Sequence, residues 1–260
     1  MQSDFQLLRN NFTDVPIVLG EYDASPTNTE PAARWKYVDH LVRTAAELGI
    51  ACVLWDNGLD HLDRAAGTWR DPNSISMITK STASTTNSLP DSTEDSSAST
   101  QSSSAYIFHQ YGTELTAQTL SFILNGNTVS SISDSTGSTL QSGTDYSVSG
   151  SDITFSASYL SKHLSASTAP GVVASLTIKF SGGYSSPTIP IVLWKPPTLS
   201  STSAVASSVS GSDLSIPITW GGIASVAAVK ALTSSGTYLV DDWTQWLGPL
   251  QQARAVSHHS

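Results

Sequence analysis

The first third of the chain alternates two continuous apolar runs with a segment of helical spacing. The runs read PIVLG at residues 16–20 and IACVLW at residues 50–55, and continuous apolar character is typical of strands that are covered on both faces. Between them, apolar residues recur every three or four positions over residues 31–48, which predicts an amphipathic helix. Strand, helix and strand with short connections predict two parallel strands joined by a right-handed crossover.

The middle of the chain has a different period. Over residues 105–195, short segments alternate apolar and polar positions, and several such strands in succession predict an antiparallel sandwich. Asn125-Gly126 lies between two of these segments and is a strong signal for a tight hairpin turn. Residues 196–256 contain further alternating segments, which predict a second, smaller β module.

Serine and threonine dominate residues 83–104, where no aromatic residue occurs. A segment of this composition buries too little apolar surface to offset the entropy that it loses on ordering. The sequence therefore predicts a linker between the β/α segment and the sandwich, and it leaves open whether the linker is ordered against the β/α segment.

Charge and cysteine content narrow the classes of function. The formal net charge is −9, from 12 Lys and Arg against 21 Asp and Glu, which argues against nucleic acid or an anionic membrane surface as a partner. A neutral polysaccharide is compatible with this charge. Cys52 is the single cysteine, so no internal disulfide or cysteine-based metal cluster is predicted. The histidines show no metal-ligand spacing, and no metal or other cofactor is predicted.

The two apolar runs end in residues that could act on a sugar. Glu21 follows the first run and Trp55 ends the second, and side chains at the carboxyl ends of parallel strands face the ligand crevice of a β/α sheet. A carboxylate there can serve in acid/base or nucleophilic catalysis, and an indole face can stack on a pyranose ring. Structural alternatives stay open: Glu21 could cap a helix or form an ion pair, and Trp55 could be a core residue.

Three segments resemble the last quarter of the catalytic barrel of family 5 glycoside hydrolases, closest to the endo-β-1,4-glucanases: VPIVLGEYDASP, RWKYVDHLVRTAAELGIACVLWDNG and WRDP. The resemblance implies that residues 1–82 are a fragment of a (β/α)8 TIM barrel, its last two β/α units. It also implies that Glu21 is the nucleophile of a retaining enzyme and that Trp55 and Asn57 bind substrate. The Tyr-Asp pair that follows Glu21 departs from the family, in which many members have Phe-Gly.

The later segments resemble modules that accompany such barrels. Residues 105–195, with LNGNTVSSI and GTDYSVSGSDITFSASYL, are similar to the immunoglobulin-like X-two module of cellulases, and their few aromatic residues favour the role of a rigid spacer. Residues 196–256 are similar to part of a family 46 carbohydrate-binding module, and the resemblance makes Trp243 and Trp246 candidates for sugar contact. The implied fold class is multidomain: a barrel fragment followed by two β-sandwich (immunoglobulin-like) modules.

One catalytic carboxylate of the resembled family has no counterpart in the sequence. No Asn-Glu pair, which carries the acid/base glutamate in that family, occurs among the 260 residues. Because retaining hydrolysis needs both carboxylates, we expect the chain to be inactive alone and to be part of a longer endoglucanase.

That enzyme is expected to be secreted, although the N-terminal residues lack the pattern of a signal peptide. Its expected substrate is a β-glucan, whether cellulose, mixed-linkage glucan or xyloglucan. The alternative is a non-catalytic fragment that binds β-glucan through its β-sandwich modules. A monomer is expected.

Overall fold

The computed structural model describes residues 1–27, 29–58, 60–95, 98–203, 216–223 and 232–237. The chain divides into two units, residues 1–195 and residues 196–260. Each unit is described by itself below.

The first part of residues 1–195 contains helices and short strands. Its elements are α1 (Gln2–Asn11), β1 (Ile17–Tyr22), α2 (Pro31–Glu47), β2 (Ile50–Leu54), β3 (Leu62–Asp63), β4 (Thr68–Trp69) and α3 (Pro72–Lys80). β1 and β2 pair in parallel, with Ile17 opposite Ile50. The predicted parallel pair joined through a helix is confirmed.

Helix α2 covers one face of the β1–β2 pair, and its ends follow from its sequence. The Glu30 carboxylate accepts hydrogen bonds from the amides of Ala32 and Ala33, at 2.9 and 2.7 Å, while Pro31 occupies the first turn, where a missing N–H costs nothing. Gly49 follows the helix with φ +62°, a conformation that glycine adopts without strain. The buried face of α2 includes Trp35 and other large apolar side chains. This arrangement fixes which face of the strand pair stays open.

The sandwich occupies the rest of residues 1–195. Its elements are β5 (Leu89–Pro90), β6 (Ile107–Gln110), β7 (Gln118–Ile123), β8 (Val129–Asp134), β9 (Tyr146–Ser149), β10 (Asp152–Phe155), α4 (Ala157–Leu160), β11 (Gly171–Phe180) and β12 (Thr188–Trp194). Two four-stranded sheets form, with strand orders β5-β7-β10-β9 and β6-β12-β11-β8. The pairing is antiparallel, as the sequence predicts, except that β6 lies parallel to β12. Alternate residues of both sheets meet in one core, among them Phe155, Leu176 and Ile191, which are fully buried.

The Asn125-Gly126 turn confirms the hairpin signal between β7 and β8. Asn125 has φ +50° and Gly126 has φ +84°, and the amide of Asn127 donates to the carbonyl of Leu124 at 3.0 Å. Two successive positive φ values match the twist of the flanking strands, which is why this dipeptide suits a two-residue hairpin.

The segment predicted to be a linker, residues 83–104, contains ordered structure that packs against both of its neighbours. Leu89 and Pro90 form β5, which pairs with β7 at the edge of the sandwich, and the amide of Asp91 donates to the Ser121 carbonyl at 2.9 Å. Lys36 of α2 lies within 3.1 Å of carboxylate oxygens of both Asp91 and Glu94. The segment is ordered because its backbone joins an open sheet edge and one buried leucine docks with it.

Asn87 links three parts of this unit through its buried side chain. Its Nδ2 donates to Asp39 Oδ1 of α2 at 2.7 Å. Its Oδ1 accepts from the backbone amides of Tyr184 and Ser185, at 3.1 and 3.0 Å, in the connection between β11 and β12. A single amide thus joins the helix of the β/α segment to a loop of the sandwich.

Replacing Asn87 with alanine is expected to lower the free energy of unfolding by about 3 kcal/mol, because two backbone amides lose a buried acceptor and Asp39 loses a donor. Urea unfolding of the chain measures the loss. Asn10→Ala on the exposed face of α1 is the control and is expected to change stability by less than about 0.5 kcal/mol. Equal stability of the two variants would contradict the linking role.

In residues 196–260 the described residues include one antiparallel pair, β13 (Thr198–Leu199) with β14 (Ile218–Thr219). Most of the second β module predicted for residues 196–256 lies outside the described residues.

Candidate functional site

The carboxyl ends of β1 and β2 lie side by side. The amide of Trp55 donates to the carbonyl of Tyr22 at 2.9 Å, so the backbone pairing of the two strands extends to Tyr22 at the end of β1 and to Trp55 just after β2. Glu21, which precedes Tyr22 in the chain, therefore stands beside the strand end that carries Trp55. The structure brings the predicted carboxylate and the predicted tryptophan to the same edge of the sheet.

A β-bulge decides which way Glu21 faces. Leu19 pairs with Cys52 and Tyr22 with Leu54, so β1 has one more residue than β2 between these pairs. The extra residue breaks the alternation: Gly20 and Glu21 are both exposed, and Tyr22 is buried. Bulges re-aim side chains in this way and occur often beside active sites.

The face of the strand pair away from α2 is open and apolar. Val18 is 59% exposed, Val53 50% and Trp55 46%, and these residues alternate with side chains that face the helix. A Cβ at Gly20 would meet no atom within 4 Å, so the space next to Glu21 is open as well. Parallel sheets are normally covered on both faces, and the exposed valines are therefore unusual for a completed sheet.

Two side-chain contacts tie the loop after Trp55 to the segment after Glu21. Asp23 Oδ1 lies 2.8 Å from Nε2 of His61, a buried side chain. Ser25 Oγ donates to Asp60 Oδ1, also at 2.8 Å. These contacts hold the two loops that border the strand ends in a fixed relation. Sequence reasoning missed this role of Asp23 and His61, although the departure from the family pattern at Asp23 marked the position.

The loop that begins at Trp55 also folds around Asp56. Its Oδ1 accepts from the amides of Gly58, at 2.9 Å, and His61, at 3.4 Å. Partial desolvation opposes ionisation of Asp56, but the backbone N–H groups outweigh it and lower the pKa of the carboxyl. Asp56 is thus ionised at neutral pH, and it shapes the loop that presents Trp55.

The remaining site predictions have mixed outcomes. Trp55 is exposed in this chain, and its contact with a sugar stays a prediction. Glu21 is exposed and forms no ion pair in the described part of the chain. Asn57 is exposed in the loop after Trp55, and its contact with substrate stays a prediction. Trp243 and Trp246 lie outside the described residues.

The described residues contain neither a cluster of metal ligands nor a helix suited to a bilayer. No group of three or more His, Cys, Asp or Glu side chains there could hold a metal ion. In the same part of the chain, no helix has the length and apolar character that crossing a bilayer requires.

The amino-acid sequence is similar to a known domain family and to proteins that act on or bind cellulose-type glucans by name. Residues 101–191 match the family described as carbohydrate binding domain X2. Endoglucanase B of Paenibacillus lautus is 30% identical over 237 residues, which cover 89% of this chain and 38% of that protein. Cellulose-binding protein A of Clostridium cellulovorans is 56% identical over 39 residues, which are 15% of this chain and 2% of that protein.

Solved structures agree with these sequence matches. A tri-modular GH5 (subfamily 4) endo-β-1,4-glucanase from Bacillus licheniformis, complexed with cellotetraose, superposes with a TM-score of 0.77 at 30% identity, covering 91% of this chain and 44% of that one. The chain thus spans less than half the length of the relatives that it matches. It is a homologue of family 5 glycoside hydrolase endoglucanases that have carbohydrate-binding modules, and its own match to such a module lies in residues 101–191.

Proposed function

We propose that this chain is the C-terminal portion of a secreted, retaining endo-β-1,4-glucanase that hydrolyses β-glucan. The observation that carries the proposal is the placement of Glu21 and Trp55 at adjacent carboxyl ends of parallel strands, with a bulge that exposes the carboxylate. The homology to endo-β-1,4-glucanases supports the same reaction class.

The open face of β1 and β2 supports a barrel of which these strands are the last two. Val18 and Val53 would face the interior of that barrel, where branched apolar side chains fill the space between strands. Earlier strands of a longer polypeptide would cover them. The same strands would supply the acid/base glutamate, for which this chain has no Asn-Glu pair.

The proposed chemistry assigns one step to Glu21. Its carboxylate attacks the anomeric carbon while the acid/base carboxyl protonates the departing glycosidic oxygen, and the sugar stays bound to Glu21 as an ester. Water, deprotonated by the acid/base residue, then releases the sugar with its original configuration. Trp55 provides the surface on which the reacting glucosyl unit stacks.

Covalent labelling tests the assignment of Glu21. A 2-deoxy-2-fluoro-cellobioside with a dinitrophenolate leaving group needs no proton from the acid/base residue, and its fluorine slows hydrolysis of the ester. Incubated with the longer protein and digested, it is expected to leave its sugar on the peptide that contains Glu21, as mass spectrometry would show. A label on another carboxylate would overturn the assignment.

Replacing Trp55 with alanine in the longer protein is expected to raise KM for cello-oligosaccharides about tenfold, since an aromatic stacking surface contributes roughly 1–1.5 kcal/mol. Trp69→Ala is a matched control, because Trp69 is exposed to the same extent, 45% against 46%, but lies on the β3–β4 hairpin. Initial rates over a range of substrate concentrations measure both variants. An equal rise in KM for both would show that Trp55 has no particular role.

A second candidate function is binding of β-glucan without catalysis. The match of residues 101–191 to a carbohydrate-binding domain favours it and does not depend on Glu21. In this case residues 1–260 bind a β-glucan but cleave none, and the open face of β1 and β2 has no part in binding.

A further inference from the structure

An aromatic pair stands at the edge of the sandwich, away from Glu21 and Trp55. The rings of Tyr106 and Phe108 stack with centroids 4.9 Å apart and planes inclined by 26°. They are two residues apart, so they share one side of the strand. Phe108 is 44% exposed, whereas Tyr106 is half-buried and burial raises the pKa of its hydroxyl. Tyr106 therefore supports the ring of Phe108 from behind and leaves its other face open.

This pair borders a cleft of about 400 Å³, which is within the range of small-molecule sites. Four parts of the chain enclose the cleft: the beginning of α2 with Glu30, residues 92–93, residues 101–103, and β7 with Gln118. The lining is therefore rich in amides and hydroxyls, and Glu30 is its one ionisable carboxylate in the described part of the chain.

The lining indicates the chemistry of a ligand. Glu30 accepts from two amides of α2 and from Ser103 Oγ at 2.5 Å, so both of its oxygens already have hydrogen-bond partners within the protein. An aromatic face with neutral hydrogen-bonding groups around it suits a ligand that has an apolar C–H face and a rim of hydroxyls. A glucopyranose unit has both. The cleft lies within the region that matches a carbohydrate-binding domain, apart from the wall formed by α2 and residues 92–93.

We propose that the Tyr106–Phe108 cleft is a second glucan-binding site, in which a β-linked glucopyranose unit stacks on Phe108 and its hydroxyls bind the polar side chains around it. The proposal rests on the second candidate function, to which it assigns a site, and it does not require Glu21 to be a nucleophile. It also gives the sandwich a role beyond that of the rigid spacer that the sequence favours. Because residues 92–93 and 101–103 build walls of the cleft next to the beginning of α2, the site exists only when the β/α segment and the sandwich are joined.

Affinity electrophoresis of residues 1–260 in gels that contain barley β-glucan tests the proposal, with dextran as the α-linked control polysaccharide. The wild-type chain is expected to be retarded by the β-glucan alone. Phe108→Ala is expected to weaken binding about tenfold, because the stacking surface is lost, while Phe108→Tyr, which keeps the ring, is expected to bind as wild type. Phe12→Ala is the matched control, since Phe12 is 50% exposed beyond the end of α1.

Each alternative has its own signature. Absence of retardation of the wild-type chain, or equal retardation of wild type and Phe108→Ala, overturns the proposal. Loss of binding in Trp55→Ala alone also overturns it, because the ligand is then held at the strand ends. If Phe12→Ala weakens glucan binding as much as Phe108→Ala does, the effect is a nonspecific apolar one. If the chain is a dimer, and Phe108→Ala dissociates it without changing glucan binding, the pair is a self-association surface. Labelling of Glu21 is independent of all these outcomes, so failure of one proposal leaves the other standing.

Discussion

Replacement of Glu21 with glutamine in the proposed longer endoglucanase is expected to lower kcat on β-glucan by roughly 10³-fold or more, with little change in KM. The neutral amide keeps the size of the carboxylate but cannot form the ester intermediate, and removal of a nucleophile from an enzyme that works by covalent catalysis has effects of at least this order. Substrate contacts remain, because Trp55 and the loops around it are untouched. Initial-rate kinetics on barley β-glucan measure both constants.

The matched control is Glu47→Gln, at the exposed end of α2, which is expected to have wild-type kinetics. A further variant distinguishes a nucleophile from an acid/base residue. In Glu21→Gly, azide can enter the vacated space, form a bond to the anomeric carbon and displace an activated aryl leaving group in one step. The product is then an α-glycosyl azide, with inverted configuration. A β-glycosyl azide would mean that another residue forms the ester and that Glu21 is the acid/base.

The second large effect concerns stability. Asp71 and Arg34 form a buried ion pair, with Arg34 Nε 2.7 Å from Asp71 Oδ2 and both side chains 5% exposed. The same oxygen accepts from Trp35 Nε1 and Ser74 Oγ, each at 2.8 Å. Asp71 also caps α3 by accepting from the Ser74 amide at 3.1 Å. One carboxylate thus joins the start of α3 to the buried face of α2.

Asp71→Asn is expected to destabilise the chain by about 3–5 kcal/mol, because the amide leaves the Arg34 guanidinium buried without a compensating charge. Denaturation of residues 1–260 in urea at pH 7 measures the difference. Asp63→Asn is the control: Asp63 pairs with Arg70 at 3.5 Å near the surface, where such a pair contributes less than about 1 kcal/mol. If both substitutions had equally small effects, the buried pair would not stabilise the fold.

The effect of Asp71 has a definite pH dependence. Burial opposes ionisation of this carboxyl, but the charge and hydrogen bonds of Arg34, with those of Ser74, outweigh it and lower the pKa of Asp71. The folded-state pKa is then below the unfolded value of about 3.9, so the stabilisation is complete above that pH and is lost as the pH falls through the folded-state pKa. The difference between wild type and Asp71→Asn is expected to shrink below about pH 4, and a constant difference down to pH 2 would contradict this.

Local patterns in the sequence were sufficient for the elements that depend on neighbouring residues. The apolar runs predicted two parallel strands, the helical spacing over residues 31–48 predicted α2, and Asn125-Gly126 predicted a hairpin. The positions of Glu21 and Trp55 at strand ends were predictable for the same reason, because parallel strands joined by a short helical crossover end at the same edge of a sheet. Composition and charge favoured a neutral polymer as ligand over nucleic acid.

Contacts between distant residues decided the rest. The composition of residues 83–104 predicts a linker and leaves its order open. Pairing with the edge of β7 and a hydrogen bond to Asp39 of α2 order part of it, and no local pattern in the sequence shows these partners. The bulge that exposes Glu21 depends on register with β2, and the stacked ring of Phe108 gains its cleft from α2 and β7. Period and propensity act over a few residues, whereas register, ion pairing and cleft walls depend on which segments the fold brings together. The sequence by itself therefore determined the elements and the chemical nature of the strand ends, and the tertiary structure decided which side chains meet and which faces stay open.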